Sequence, residues 1–424
     1  MSIEELYTLY LDSSGVSTDT RNIKEGSIFF ALKGERFNGN TFAASALESG
    51  AAYVVIDEAE YQTDERCLLV DNVLYALQDL ASHHRNALDI PFIGITGSNG
   101  KTSTKELIRD VLSRKYLVHA TRGNLNNHIG VPLTLLEIDR SHEIAIIEMG
   151  ANHVGEIALL SSISQPDIGL ITNIGKAHIG EFGGFENIIK GKTELFDHLR
   201  MTEGLAFVDG RSEILMEHSD ELERIIYGEH PESYVNTTIA SSDLFLTLQW
   251  EGRRIESHLV GQYNQSNIEA AIAIGRYFQV EDESIIEAIS SYMPENNRSQ
   301  LIEKDGKQII MDAYNANPSS MAAALDNLAN MKGKRKFAIL GHMLELGEDS
   351  PMEHYKLIEL ARIKGIDAIF IGDEFQNVEG QEEARIFTDV KDALTALQKI
   401  DLEDTVILVK GSRGIRLEQL EDML

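Results

Sequence analysis

Residues 91–105 read PFIGITGSNGKTSTK, an apolar run followed by a glycine-rich turn and a lysine-threonine pair. The common phosphate-loop pattern has a glycine where this chain has Ile95. The order of elements nevertheless predicts a nucleotide site, because backbone N–H groups and a helix dipole can surround phosphates there. Lys101 is predicted to neutralise phosphate charge and the Thr102 hydroxyl to ligate Mg²⁺. A glycine-rich turn with a surface lysine is the weaker interpretation.

Apolar runs of strand length continue after this loop and alternate with helical stretches. The runs are KYLVHAT, HEIAIIEMG, DIGLITNIG and GLAFVDG, and the helical stretches include KTSTKELIRDVLSRK and FENIIKGKTELFDHLR. This alternation predicts a mainly parallel sheet. A more β-rich segment, residues 244–260, and a helix over residues 264–278 follow it.

The chain divides into three predicted α/β domains, since 424 residues are too many for one ordinary core. Residues 1–90 mix short strands with glycine turns and end in a connecting helix over 72–88. Residues 91–297 form the central parallel-sheet domain. Residues 298–424 repeat the alternation (KQIIMDAY, KFAILGH, DAIFIGD, ARIFTD, DTVILVKG) and predict a smaller Rossmann-like unit. The stretch SYMPENNRSQL joins the last two domains as a linker and hinge.

Composition limits the function. The net charge of −30 argues against nucleic acid as a partner, since phosphate backbones need a basic surface. The sequence has no apolar run long enough for a bilayer and no secretory signal. Its single cysteine, Cys67, allows no internal disulfide or multi-cysteine metal site. We therefore expect a cytoplasmic protein with no membrane partner.

Polar residues follow later strands of the predicted central sheet. Glu148, Asn173 and His178 are expected near the phosphate loop, because ligands of open α/β sheets bind at the carboxyl ends of strands. A carboxylate or a neutral imidazole there can hold a metal. Lys190 and Lys192, two apart on the next helix, point to different faces, and sequence alone does not distinguish them from a solvated pair.

Several motifs together resemble the Mur ligase family, ATP-dependent amide-forming enzymes of peptidoglycan precursor assembly. They are TGSNGKTS, EMGANHVGEI, TNIGKAHIGEFG, KGKTELF and GQYNQSNIEAA, and the resemblance runs from TDTRNIKEGSIFFALKGERFNG to VILVKGSRG. It implies a UDP-binding N-terminal domain, a central ATPase domain and a Rossmann-like C-terminal domain. It also implies ATP and Mg²⁺, with two ions, as cofactors.

The resemblance assigns roles to individual residues. Lys101, Glu148, His178 and Lys192 are implied as catalytic, and Thr102, Glu148, His178 and Lys192 as metal ligands, with Lys192 carbamylated by CO₂. The residues implied to bind ATP are Gly97, Ser98, Asn99, Gly100, Lys101, Thr102, Ser103, Asn264, Asn267 and Arg298. Asn315 and Asn317 are predicted to join them, because their amides offer donors and acceptors to polar groups of a nucleotide or peptide. Those implied to contact the UDP-substrate are Thr20, Arg21 and Gly34. A dipeptide acceptor also needs a donor for its far carboxylate, and Arg413 is predicted to supply it.

Within the family, DAYNANPSSM (312–321) and LGHMLELG (340–347) are similar to the member that adds D-alanyl-D-alanine to UDP-N-acetylmuramoyl-tripeptide. That member implies these two substrates and is expected to act as a monomer. Three positions depart from the family's usual residues: Asn38 and His342 replace aspartates, and Tyr263 replaces a histidine. The alternatives are a relative that adds a single amino acid, a folylpolyglutamate-synthetase-like ligase, and a non-catalytic nucleotide-binding regulator.

Overall fold

The computed structural model describes residues 1–294, 298–304, 306–332, 335–381, 383–421 and 424. Within these ranges the chain forms three successive α/β units, as the alternation of strands and helices predicts. Residues 295–297 of the expected hinge, including the predicted boundary at 297, lie outside the described residues.

The N-terminal unit is built on a four-stranded parallel sheet of order β1-β2-β5-β6, with a small separate hairpin, β3-β4. Its strands are β1 Val16–Ser17, β2 Ile28–Phe30, β3 Lys33–Gly34, β4 Phe37–Asn38, β5 Tyr53–Ile56 and β6 Cys67–Leu69, and its helices are α1 Ile3–Leu11, α2 Ala43–Glu48 and α3 Val73–Asn86. Helix α3 corresponds to the connecting helix expected over residues 72–88 and packs against helices of the central unit.

The central unit holds a six-stranded sheet of order β12-β11-β10-β7-β9-β8, in which every pair is parallel. The strands are β7 Phe92–Thr96, β8 Val118–Ala120, β9 Ile144–Glu148, β10 Ile168–Ile171, β11 Leu205–Asp209 and β12 Glu223–Tyr227. The helices are α4 Lys101–Leu112, α5 Gly130–Leu135, α6 Glu156–Ser164, α7 Ile179–Phe182, α8 Phe185–Thr202, α9 Glu213–His218, α10 Asn264–Tyr277 and α11 Asp282–Ser291. The β-rich segment forms an antiparallel sheet of β13 Thr238–Ser241, β14 Thr247–Trp250 and β15 Arg253–Glu256.

Strand β7 brings the site together because it lies inside this sheet, between β9 and β10. All five of its residues are buried. Ile95 pairs with Glu148 of β9, and Thr96 pairs with Ile171 of β10. The carboxyl ends of three neighbouring strands therefore meet at the loop that follows Thr96.

The C-terminal unit has a six-stranded sheet of order β16-β17-β21-β18-β19-β20, parallel except for the β16-β17 pair. The strands are β16 Gln300–Lys304, β17 Lys307–Asp312, β18 Arg335–Gly341, β19 Asp367–Ile371, β20 Ile386–Phe387 and β21 Thr405–Lys410, and the helices are α12 Pro318–Asn330, α13 Ser350–Ile363, α14 Asp373–Gln376 and α15 Val390–Leu397. Strands β17, β21 and β18 are neighbours, so the segments that follow Asp312, Gly341 and Lys410 open on one edge.

In the part of the chain that the structure describes, no helix combines the length and the apolar composition that a bilayer crossing requires.

Candidate active site between the central and C-terminal units

A cavity of about 970 Å³ separates the strand ends of the central sheet from those of the C-terminal sheet. Most of the predicted site residues line it: Ser98, Asn99, Gly100, Lys101, Thr102, Ser103, Glu148, Asn173, His178, Asn264, Asn267, Arg298, Asn315, Asn317 and Arg413. Gly97 lies in the loop itself, and Lys192 is absent from the lining. Thr20, Arg21 and Gly34 are also absent from it, because they belong to the N-terminal unit.

The glycines of the phosphate loop occupy positions that a side chain would obstruct. Gly97 has φ +140°, and a Cβ there would stand 2.0 Å from the Thr172 hydroxyl. Gly100 has φ +80°, and its Cβ would stand 2.8 Å from Oδ1 of Asn267. Ile95 is still within β7 and fully buried, so the turn starts after it. The departure from the common pattern therefore reflects a loop that begins two residues later.

Asn173 holds the loop from the neighbouring strand end. Its Oδ1 accepts a hydrogen bond from the backbone N–H of Asn99 at 3.1 Å, and its Nδ2 donates to the Asn99 carbonyl at 2.9 Å. Its own carbonyl accepts from the Ser98 N–H at 2.9 Å. These contacts fix the loop before helix α4 begins at Lys101.

Lys101 folds back over the loop. Its Nζ donates to the Gly97 carbonyl at 2.7 Å. Burial lowers the pKa of the Lys101 ammonium, and the nearby Glu148 carboxylate opposes that shift. The Lys101 ammonium therefore lies where phosphate oxygens can replace the Gly97 carbonyl as its hydrogen-bond partner.

Glu148 is the buried carboxylate of the site, 2% exposed at the end of β9. The Thr102 hydroxyl donates to it at 2.9 Å, and Nδ2 of Asn126 donates at 2.8 Å. Nζ of Lys105, equally buried, lies 3.8 Å away and donates to the Thr121 carbonyl at 2.7 Å. Sequence reasoning missed Lys105 and Asn126, whose roles depend on tertiary contacts.

The donor set around Glu148 fits Mg²⁺. A carboxylate and a hydroxyl are already in contact there, and both are the hard oxygen ligands that this ion prefers. Thr102 and Glu148 line the cavity with His178, so the predicted ligands face one space.

His178 precedes helix α7 in a left-handed conformation, with φ +55°. Its Nδ1 contacts the Glu345 carboxylate of the C-terminal unit and lies 3.8 Å from Oε2 of Glu181. Close contact with His178 lowers the pKa of the Glu345 carboxyl. Burial first and Glu345 second raise the pKa of Glu181. Sequence reasoning did not identify Glu345, because the contact joins segments far apart in the chain.

Lys192 is 1% exposed, whereas Lys190 is exposed. Its Nζ donates to the Ala151 carbonyl at 2.9 Å and lies 5.1 Å from the centre of the Phe182 ring. Burial first, and then the charge of Lys101, lower the pKa of Lys192 to about 7. The interpretation of Lys192 as a solvated surface lysine is therefore wrong.

The start of helix α10 forms the side of the cavity next to α4. Asn267 accepts from the Thr104 hydroxyl at 3.0 Å and donates to Asn264 at 2.8 Å. Tyr263, at the departure from the family pattern, shares a hydrogen bond of 2.9 Å with Ser299 beyond the linker.

The C-terminal unit meets the loop directly. Asn317 caps helix α12 through Ser320 and also donates to Oδ1 of Asn99 at 2.7 Å. Nζ of Lys176 lies 3.1 Å from Oε1 of Glu353. These two contacts join the central and C-terminal units in what we call the closed arrangement.

Two guanidinium groups of the cavity face one aromatic ring. Arg298 lies 3.7 Å and Arg413 lies 5.5 Å from the centre of the Tyr314 ring. Asn315 accepts from the Ala316 N–H, and its carbonyl accepts from Lys410 at 3.1 Å. Both arginines therefore lie at the cavity, and guanidinium groups suit anions such as carboxylate or phosphate.

The remaining predicted residues lie elsewhere. Arg21 is exposed and pairs with Asp19, and Gly34 lies in the β3-β4 hairpin. Asn38 caps a short helical turn and donates to Glu58 at 2.8 Å. His342 is half-buried behind Gly372, and burial lowers its pKa.

Comparisons with known proteins agree with this architecture. Three family models match the chain: "Mur ligase family, catalytic domain" over residues 12–85, "Mur ligase middle domain" over 95–275, and "Mur ligase, glutamate ligase domain" over 297–413. The UDP-N-acetylmuramoyl-tripeptide--D-alanyl-D-alanine ligase of Bacillus subtilis is 36% identical over 96% of this chain and 92% of its own length.

Two solved structures share the whole fold. A crystal structure of MurF from Acinetobacter baumannii has a TM-score of 0.90 at 30% identity and covers 100% of this chain and 98% of that chain. MurF ligase from Thermotoga maritima in complex with ADP has a TM-score of 0.87 at 27% identity and covers 98% and 97%. With the family models and a relative of this identity, the chain belongs to the Mur ligase family.

Proposed function

We propose that this chain is an ATP-dependent ligase that joins D-alanyl-D-alanine to UDP-N-acetylmuramoyl-tripeptide. The observation that carries the proposal is the shared cavity, in which the phosphate loop meets the DAYNANP and LGHMLELG segments. Support comes from the names of full-length relatives, among them the Bacillus subtilis enzyme. Neither the single-amino-acid ligase nor the folate ligase is favoured by these relatives.

The reaction proceeds in two steps. The terminal carboxylate of the tripeptide attacks the γ-phosphorus of ATP, ADP leaves, and an acyl phosphate forms. The amine of D-alanyl-D-alanine then attacks the acyl carbon, loses a proton, and phosphate departs from the tetrahedral intermediate. The main obstacle is electrostatic, since carboxylate and γ-phosphate are both anions.

Different residues are assigned to the phosphates, the base and the metal ion. Lys101 and the N–H groups of the loop are assigned to the phosphates, and Asn264 and Asn267, which line the same cavity, are assigned to the base of ATP. Thr102, Glu148 and His178 are the ligands that we assign to Mg²⁺, which supplies charge neutralisation between the two anions when bound. Tighter closure of the two units over bound substrates would exclude water and protect the acyl phosphate from hydrolysis.

Lys192 is proposed to be carbamylated. Two Mg²⁺ ions need more anionic ligands than Glu148 provides, and a carbamate adds one. Among the described residues Lys192 forms no ion pair; burial and then the charge of Lys101 lower its pKa, and Glu156 and Glu194 oppose that shift. Attack of the neutral amine on CO₂ with loss of a proton would replace the repulsion from Lys101 by attraction.

The N-terminal unit, residues 1–90, is proposed to hold the UDP portion through Thr20, Arg21 and Gly34, with the other units spanning 91–297 and 298–424. Arg298 is assigned to the nucleotide and Arg413 to the carboxylate of the acceptor. We also propose that the protein acts as a monomer in the cytoplasm.

The test is phosphate release from ATP with matched donors and acceptors. UDP-muramoyl tripeptide with D-alanyl-D-alanine should far exceed UDP-muramoyl dipeptide with glutamate, lysine or diaminopimelate at equal concentrations. If the dipeptide donor with a single amino acid is the better pair, the chain is the preceding ligase. If a folate donor with glutamate is better, the assignment of the N-terminal unit fails with it.

A further inference from the structure

His178 and Glu345 meet across the cavity in an unusual backbone state. Both are non-glycine residues with positive φ, +55° and +64°. Such conformations are uncommon and persist where the surroundings impose them. The Glu345 carbonyl also accepts a hydrogen bond from the Gly180 N–H at 3.0 Å. Glu345 thus contacts the His178 segment with its backbone and its side chain.

The contact uses a particular nitrogen of the imidazole. The Glu345 carboxylate lies against Nδ1 of His178, a buried atom that has no hydrogen-bond partner of normal geometry among the described residues, so donation from Nδ1–H to Glu345 is part of the proposal that follows. An Nδ1–H that donates to a carboxylate leaves the lone pair on Nε2, which is the form of histidine that binds metals. Both side chains line the cavity with Thr102 and Glu148.

We propose, on the basis of the function proposed above, that Glu345 is a positioning residue that holds His178 in the Nδ1–H tautomer and directs Nε2 toward the metal. Because Glu345 belongs to the C-terminal unit, it acts on His178 only in the closed arrangement. Closure therefore raises metal affinity, and bound metal favours closure by the same free energy.

A rival arrangement uses the same side chains. His178, Glu181 and Glu345 each place a ligand atom within 4.8 Å of the others, so they could grip a cation directly, with Nδ1 as a ligand. In that case Nε2 of His178 carries the proton. The two arrangements therefore predict opposite tautomers.

The first measurement is the tautomer of His178, read by ¹⁵N-histidine NMR of the protein with Mg²⁺ and ADP and assigned by loss of the signal in His178→Gln. We expect Nδ1–H in the wild type and in Glu345→Gln, whose amide oxygen still accepts, and a mixture in Glu345→Ala. An Nε2–H signal in the wild type would overturn the proposal in favour of direct chelation.

The second measurement is Mn²⁺ affinity, followed by the EPR signal of the free ion with the protein in excess over ADP. Glu345→Ala should weaken Mn²⁺ binding about 10-fold, and Glu345→Gln clearly less. Glu348→Gln, an exposed acid of the same segment, is the matched control and should leave affinity unchanged. Affinity in Glu345→Ala within about two-fold of the wild type would refute the positioning role.

Neither readout needs the acyl or amino substrate. If phosphate release in the wild type does not depend on D-alanyl-D-alanine, the proposed function fails while both binding measurements still stand. Thermal unfolding of each variant serves as the control that its fold is intact.

Discussion

The Lys101 side chain already lies at the phosphate loop in the absence of nucleotide. Its ammonium is held by the Gly97 carbonyl, a weaker partner than phosphate. Lys101→Ala should reduce kcat about a thousand-fold or more, because charge neutralisation is needed most in the transition state. The midpoint of thermal unfolding should stay near that of the wild type. Near-normal kcat would show that the phosphate assignment is wrong, and Lys190→Ala controls for loss of a cation.

Lys192 gives a second prediction at this scale. Lys192→Ala should be nearly inactive, and short carboxylic acids added to the assay should partly restore turnover by filling the vacated ligand position. The matched change at the exposed Lys190 should have little effect. Absence of rescue, together with a free amine in the intact mass at activating CO₂ levels, would end the carbamate proposal.

Sequence patterns predicted the residues that follow strands better than those that depend on contacts between elements. Glu148 and Asn173 were expected near the loop because parallel strand ends share an edge. Lys105 was missed, because a lysine on an amphipathic helix usually faces solvent, whereas here it lies under Glu148. The burial of Lys192 was also undetermined, since helical spacing separates two faces without showing which one is covered.

Strand β8, at the edge of the central sheet, carries a titratable group that stability measurements can detect. His119 is 5% exposed, its Nε2 has no hydrogen-bond partner among the described atoms, and burial lowers its pKa from 6.5 to about 4. The unfolded chain therefore binds a proton that the folded chain excludes, and stability falls as pH falls from about 6.5 to about 4.

On acidification the free energy of unfolding should fall by up to about 3 kcal/mol less in His119→Asn than in the wild type, because each unit of the pKa shift corresponds to about 1.36 kcal/mol. Urea unfolding at pH 7 and pH 4.5 measures it, with the exposed His218→Asn as the control. An equal loss of stability on acidification in both variants would contradict the prediction.

At the scale of the whole molecule, closure rests on close backbone approach as well as polar contacts. A Cβ on Gly180 would stand 2.5 Å from the Gly347 N of the C-terminal unit. Gly180→Val should therefore hold the two units apart, raise the radius of gyration in X-ray scattering, and abolish ligation while ADP still binds the central unit. A variant as compact and active as the wild type would show that this contact is dispensable.

Alternation of strands and helices predicted three α/β units and the position of the phosphate loop among them. It did not predict how the units meet. The contacts Asn99–Asn317, Lys176–Glu353 and His178–Glu345 each join residues more than 140 positions apart, and no local pattern encodes such pairs. Across the cavity the prediction was partial: Asn315, Asn317 and Arg413 were expected at the site and line it, but their partners on the central unit were not predicted.

The transfer of oxygen from the tripeptide to phosphate tests the central claim most directly. The terminal carboxylate of UDP-muramoyl tripeptide is labelled with ¹⁸O on both oxygens, and released phosphate is analysed by mass spectrometry. An acyl phosphate predicts one ¹⁸O in each phosphate and one in the new amide, with turnover that requires D-alanyl-D-alanine. Unlabelled phosphate, or equal labelling with a single amino acid in place of the dipeptide, would contradict the account.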